Sequence, residues 1–257
     1  MRSHVRGFAR TAAVVGVVAT SGCLDSDTSP THRRAAAPEA VWNIVALGDS
    51  DATGEGDGAG LGWVGRYARL VRQRLGVKVV VTNLARSGQT TWALATALRS
   101  DPSTQGAVAK AQIVVLGVGR ADLARGDARL EAGTCKAEAC YAADLFEFRG
   151  NIELVAALVR HVLESPDVTL RAITLPNVIT GAIGVDQSKS LRRSICRAMA
   201  MYRGRCVDVF RAFNGRTGTQ NASARGWLTT SPCCHPTAAG HQVIAELVLK
   251  TGFGTAG

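Results

Sequence analysis

Aromatic side chains are scarce in this 257-residue chain: six Phe, four Trp and three Tyr make up 5% of it. So few stacking platforms, in a chain that opens on an export signal, argue against a nucleic-acid partner. Acids are also in the minority, 20 Asp and Glu against 30 Lys and Arg, for a formal charge of +10. Arg2, Arg6 and Arg10 belong to the leading segment, which leaves +7 on the exported part. No pair of cysteines has the two-residue spacing of a zinc knuckle, so no metal is expected. There is no internal repeat and no second linker, and no apolar stretch after residue 22 is long enough to span a bilayer.

Two cofactor-like patterns are incomplete. Gly54, Gly56 and Ala59 have the spacing of a dinucleotide fingerprint, but no acid follows near the end of the second strand to hold a ribose. Asp49, Asp51, Thr53 and Gly54 imitate the start of a calcium loop, yet its twelfth position is Gly60 where a bidentate glutamate is required. No cofactor is therefore expected.

Residues 1–22 carry the three arginines, no acids, and the small apolar run Thr11 to Ala19, which reads as a secretory signal. The signal ends at Ser21-Gly22-Cys23, similar to a bacterial lipoprotein processing box, although Thr20 stands where an aliphatic residue is more usual. Cys23 is thus a lipidation candidate that would anchor the chain to a membrane; ordinary cleavage nearby would leave it incidental. Residues 23–40 are rich in Ser, Thr, Asp, Pro and Ala without an apolar period, the composition of a flexible linker. A single domain is expected over 41–257, monomeric, in a secreted protein or cell-surface lipoprotein of a bacterium.

Apolar runs of strand length alternate with amphipathic runs of helix length, which predicts an α/β fold with a parallel sheet covered on both faces. The strands are expected at Val41 to Leu47, Val77 to Leu84, Gln112 to Val118, Val168 to Leu175 and Cys206 to Phe210. The helices are expected at 61–75, 89–100, 145–164, 189–203 and 237–250. Phe148, Ile152, Val155, Val159 and Val162 share one helical face and should meet the sheet. Arg66, Arg69 and Arg72 fall opposite Trp63, Tyr67, Leu70 and Val71, the pattern of a solvated face. Lys189, Arg192, Arg193, Arg197, Arg203 and Arg205 form a denser basic patch, read either as solvated surface or as an attractor of anionic lipid or polysaccharide.

Apart from Cys23, six cysteines remain, at 135, 140, 196, 206, 233 and 234. An even count in an exported chain points to disulfides. Cys135 and Cys140 close a short loop, and neighbouring Cys233 and Cys234 would need a strained ring to bond each other. On that basis Cys196 and Cys206 are each expected to bond one of Cys233 and Cys234.

Gly48-Asp49-Ser50 ends the first strand, so the Ser50 hydroxyl sits at a C-terminal strand tip, where α/β sheets place their working sites. Gly88 and the segment Gly119 to Asp122 follow strands two and three and converge on the same rim. His235 precedes the last helix and can fold back over it. A serine hydroxyl needs a base at neutral pH, and imidazole titrates in the range to serve. His241 is read as structural.

Four blocks in this order resemble the GDSL, or SGNH, hydrolase family over Val41 to about Leu249. They are Gly48-Asp49-Ser50 with Gly54 and Gly62-Trp63; Asn83 to Gly88; Gly119-Arg120-Ala121-Asp122; and Cys234-His235-Pro236 with Gly240-His241. The resemblance implies a flavodoxin-like three-layer sandwich around a central five-stranded parallel sheet. It also implies a carboxylic ester hydrolase of esterase or lipase type that passes through an acyl-serine. Ser50 and His235 would be its catalytic dyad, and the Ser50 and Gly88 N–H groups its oxyanion hole. Two positions depart from the family. The oxyanion asparagine of the third block is Ala121 here, with Arg120 the candidate replacement and Asp122 expected to hold the rim by hydrogen bonds. The aspartate expected three residues before the histidine is Pro232, so a carbonyl between Thr230 and Pro232, fixed by the disulfides, is expected to orient His235. The implied substrate is an ester, lipid or acylated glycan. The alternative is a surface-tethered binding protein on the same scaffold that has lost turnover.

Overall fold

The structure, a computed structural model, describes residues 40–163, 165–178, 182–231 and 233–255, the Cys233 side chain excepted. The signal segment, nearly all of the linker and Cys23 lie outside the described residues. Five parallel strands form the sheet: β1 (Val41–Gly48), β2 (Lys78–Asn83), β3 (Ile113–Gly117), β4 (Thr169–Ile173) and β5 (Arg205–Val207), in the order β2-β1-β3-β4-β5. This is the doubly wound order whose switch point lies between β1 and β3.

Helices interleave with the strands: α1 (Ser50–Thr53), α2 (Gly62–Leu75), α3 (Thr91–Ser100), α4 (Pro102–Ala109), α5 (Ala124–Glu131), α6 (Ala142–Val162), α7 (Ala182–Met201), α8 (Val209–Asn214) and α9 (Ala238–Lys250). A separate antiparallel ribbon joins β6 (Leu228–Thr230) to β7 (Cys233–Pro236).

Alternation along the strands builds two cores. Val45 and Leu47 of β1, with Val114 and Leu116 of β3, face Leu94, Phe148, Ile152 and Val155 of α3 and α6. Their neighbours Ile44, Ala46, Ile113 and Val115 face Trp63, Tyr67 and Val71 of α2 and Ile244 and Val248 of α9. Strands buried on both sides must read as continuous apolar runs, as β1 and β3 do. Helix α6 turns Phe148, Ile152, Val155 and Val159 inward as their spacing predicts, with Val162 only half-buried at its end. On α2, Arg69 and Arg72 are solvated, whereas Arg66 turns back to Asp57 at 2.8 Å. Several members of the basic patch are likewise engaged: Arg192 pairs with Asp208 at 2.7 Å and Arg197 with Glu153 at 3.1 Å.

Three expectations need correction. Strand five is shorter than expected, because the Asp208 carboxylate accepts from Arg211 N and starts α8 at Val209. Helix α4 was not anticipated; Asp101 caps it and Pro102 takes its first position, where the missing N–H costs nothing. The cysteines pair differently as well. Cys135 does bond Cys140, but Cys196 bonds Cys206 directly. The turn from α7 into β5 brings the Cα atoms of Cys196 and Cys206 to 4.8 Å, so neither is left for the His235 segment. Cys234 is also disulfide-bonded, and its partner is none of these four.

The Cys196–Cys206 link closes a loop across ten positions. Replacing both residues by serine should lower the stability to urea unfolding by roughly 3 kcal/mol, from loop-closure entropy alone.

Candidate active site

β1 ends in a conformation that selects glycine. Gly48 has φ +151°, and a Cβ there would fall 2.0 Å from the Gly117 carbonyl of β3. The strands therefore close up tightly where the chain turns, and Asp49 N donates to Gly117 O at 2.9 Å. The Asp49 carboxylate then spans the tips. It accepts from Gly119 N at 3.1 Å, from Arg120 N at 3.2 Å and from Asp51 N at 3.3 Å. These bonds fix Ser50 at the first position of α1.

The histidine arrives from the far end of the chain. His235 lies on β7, where its N–H donates to Thr229 Oγ1 of β6 at 3.1 Å. Its Nε2 stands 3.0 Å from Ser50 Oγ across 185 positions of sequence. A second requirement for glycine supports that approach: a Cβ on Gly56, whose φ is +86°, would lie 2.4 Å from Pro236 O and 2.9 Å from His235 Cβ. The loop after α1 thus packs directly against the histidine segment.

The remaining predicted residues surround this pair. Asn83 Nδ2 donates to Ala52 O at 2.8 Å, and Arg86 N donates to Gly48 O at 2.9 Å, which ties the segment bearing Gly88 to the Ser50 turn. Among the described residues, neither Ser50 N nor Gly88 N has an acceptor. Asp122 accepts from Thr91 N at 3.0 Å and from the Thr91 hydroxyl, joining the β3 tip to α3. Arg120 turns its guanidinium to Pro176 O at 3.4 Å. Ala121 contributes no side-chain donor. No described residue hydrogen-bonds His235 Nδ1, and Pro232, part of the segment expected to orient it, lies outside the described residues. His241 is fully buried, with Nδ1 accepting from Trp63 N at 3.1 Å and Nε2 facing Glu55 O at 3.0 Å.

Beside His235 opens a cavity of about 560 Å³, lined by Asp51, Arg120, Asp127, Glu131 and Tyr141 together with the imidazole. Tyr141 donates its hydroxyl to Asp127 at 2.7 Å. A larger cavity of about 800 Å³ lies on the other side of Val178 and Cys234, with Val185, Ala222 and Leu228 in its wall. Sequence reasoning missed Asp51, Asp127 and Glu55. Glu55 Oε2 is 3.5 Å from His235 Nε2, and its only sequence signal is a lone acid between two glycines close to Ser50.

Burial pushes the Asp49 and Asp51 carboxyls above the usual carboxylate range; the neighbouring Asp51 charge adds to the effect at Asp49, and Arg120 partly opposes it at Asp51. A carboxyl whose folded-state pKa is raised binds its proton more tightly when folded, so its contribution to stability is lost as pH rises from about 4 through about 6 for Asp51. Asp51→Asn removes this penalty. The variant should gain about 2–3 kcal/mol of unfolding free energy at pH 8 relative to its gain at pH 4, measured by denaturant titration at both pH values.

Residues 46–243 match the GDSL-like lipase/acylhydrolase family model. Similar solved structures include a lipase from a goat rumen metagenome, with a TM-score of 0.72 and 21% identity, covering 83% of this chain and 98% of that one. An acetylxylan esterase from Geobacillus stearothermophilus has a TM-score of 0.61 and 20% identity, covering 82% of this chain and 94% of its own. A comparison with curated protein sequences finds no match. At such identities the solved structures establish the shared fold, and the family match spans most of the domain. The chain belongs to the GDSL-like lipase/acylhydrolase family.

Proposed function

We propose that this protein is an exported carboxylic ester hydrolase that works through a Ser50–His235 dyad. The observation that carries this reading is the 3.0 Å approach of His235 Nε2 to Ser50 Oγ. Two residues 185 positions apart meet at the C-terminal strand tips, which in an open α/β sheet is where ligands bind.

The reaction follows from the groups in place. Neutral His235 accepts the Ser50 proton at Nε2 while Oγ attacks the ester carbonyl carbon. The carbonyl electron pair moves onto oxygen and is met by the free N–H groups of Ser50 and Gly88. The intermediate collapses by expelling the alcohol, which takes the proton from Nε2, and leaves an acyl-serine. Water repeats the sequence with His235 as base, releasing the acid and free Ser50. No cofactor takes part in these steps.

The substrate is an ester of a lipid or an acylated glycan. Although the chain is basic overall, the cavity beside His235 sets three carboxylates, Asp51, Asp127 and Glu131, against Arg120 alone. Such a lining repels anionic groups and offers acceptors to hydroxyls, so uncharged, hydroxylated alcohols fit it better than anionic phospholipid headgroups. Two disulfides accord with an oxidising compartment. No helix among the described residues is long and apolar enough to cross a membrane; a lipidated Cys23 would anchor the domain to one. A secreted monomer is the form expected without that modification.

One feature favours the second reading, a binding protein without turnover: Ala121 supplies no oxyanion donor, and losing such a donor costs about 2.7–4 kcal/mol of transition-state stabilisation. Labelling by a fluorophosphonate, with p-nitrophenyl acetate hydrolysis, separates the two. The parent should label and turn over. Ser50→Ala should lose labelling, and both Ser50→Ala and His235→Ala should lose about a thousandfold or more in kcat. Absence of labelling and turnover in the parent, or labelling that survives Ser50→Ala, selects the second reading.

A further inference from the structure

Among the described residues the dyad has no carboxylate behind the imidazole, but it has one in front. Glu55 Oε2 lies 3.5 Å from His235 Nε2, the same nitrogen that faces Ser50 Oγ at 3.0 Å. The backbone of Glu55 is held on both sides. Its N–H donates to Ser50 O at 3.2 Å, and its carbonyl is met by Nε2 of His241 at 3.0 Å. His241 is fully buried, which holds its ring toward the neutral form. Its Nδ1 accepts from Trp63 N, so the proton is on Nε2 and that nitrogen donates to Glu55 O. Gly56, the next residue, is pressed against His235 Cβ and Pro236 O. The loop is therefore fixed between the nucleophile turn, the α9 histidine and β7, and it delivers one carboxylate to the reacting imidazole.

We propose that Glu55 stabilises the protonated His235 formed during acyl transfer, the task that an aspartate hydrogen-bonded to Nδ1 performs in a triad. The proposal rests on the Ser50–His235 reading. When Ser50 Oγ bonds to the carbonyl carbon, its proton passes to Nε2 and the ring gains one positive charge. The Glu55 carboxylate stays ionised throughout and takes no proton; it opposes the new charge at short range. The proton then leaves Nε2 with the departing alcohol, and the ring is neutral again.

Exposure sets the scale. Loss of the correctly placed acid in a buried triad costs about 10⁴ in kcat. The Glu55 side chain keeps 42% of its accessible surface, so water and salt screen its field. We expect an effect of about tenfold. Asp51 and Arg120 line the cavity beside His235, and they are unchanged in the comparison below.

The experiment compares the parent, Glu55→Gln and Glu55→Asp on p-nitrophenyl acetate, after circular dichroism has shown equal folding. Glu55→Gln should lower kcat about tenfold with KM within twofold, and Glu55→Asp should recover part of the loss. Raising NaCl from 20 mM to 500 mM should reduce kcat of the parent more steeply than that of Glu55→Gln, because the Glu55 field is there to be screened in the parent and gone from the variant. The assignment is overturned if Glu55→Gln matches or exceeds the parent, as a carboxylate that merely competes with Ser50 for the imidazole would produce. It is equally overturned by a change confined to KM or by parallel salt profiles. The two readings fail separately: a parent that neither labels with fluorophosphonate nor turns over sinks the dyad and Glu55 together, whereas an active parent equalled by Glu55→Gln sinks Glu55 alone.

Discussion

The Asp49 carboxylate is the constraint on which the rest of the rim depends. Almost wholly buried, it binds the N–H groups of Gly119 and Arg120 at the end of β3 while capping the turn that starts α1. A parallel sheet leaves the amides just past its strand tips without ladder partners, and leaving them buried and unpaired would cost about 1–3 kcal/mol each. From the β1 connection, Asp49 satisfies two such amides of the β3 connection with one side chain, so the relative height of the β1 and β3 loops is fixed. The cost falls on charge: a second carboxyl, Asp51, is buried nearby, and both are pushed toward the protonated form. Strand tips held this way provide a rigid floor for Ser50.

The opposite wall is built from α9 and the segment before it, and it too relies on buried polar groups. His241 docks the first turn of α9 onto Trp63 N and Glu55 O, one residue from the Gly56 contact with His235. At the other end of α9, Arg171 of β4 is fully buried and donates to Thr251 Oγ1 and to the carbonyls of Gly252 and Gly254. Burial lowers its pKa to about 10, so the guanidinium keeps its charge at neutral pH with carbonyl and hydroxyl oxygens in place of a carboxylate. A helix pinned at both ends presents the preceding β7 strand to the strand tips at a fixed height.

What could be read in the sequence follows the range over which each signal acts. The five strands and the long helices were legible because their burial imposes a local period: β1 and β3 had to be apolar throughout, and α6 had to repeat Phe148, Ile152, Val155 and Val159. Ser50 and His235 were legible because each stands in a short ordered block. The pairing of Cys196 with Cys206 was misjudged because the choice of partners depends on Cα separation, which the geometry of the α7–β5 turn decides. Asp208 was read as part of a strand because a capping carboxylate and an edge-strand residue look alike in sequence. Glu55 carried no periodic or motif signal, since its place beside His235 comes from contacts with residues 178 to 186 positions away from the α1–α2 segment.

The two departures read from the sequence, at Ala121 and Pro232, would bear on different charges in the proposed mechanism. A tetrahedral intermediate formed through a dyad separates two charges, a negative oxygen and a positive imidazole, and its energy depends on what faces each. At the oxygen, Ala121 offers nothing, and the neighbouring Arg120 directs its guanidinium to Pro176 O, in the lining of the cavity that His235 shares. At the imidazole, Glu55 supplies a carboxylate, though a partly solvated one. On the proposed mechanism the deficit is therefore concentrated on the oxyanion. Backbone N–H groups of Ser50 and Gly88 remain as its donors, and these are set by the main chain, which Asp49 and Asn83 hold in place. Substrates whose alcohol departs readily develop less charge on that oxygen before collapse, so they make the smallest demand on the missing donor. Preference for activated or electron-poor esters is then a consequence of which charge this rim leaves exposed, and not of the shape of its cavities.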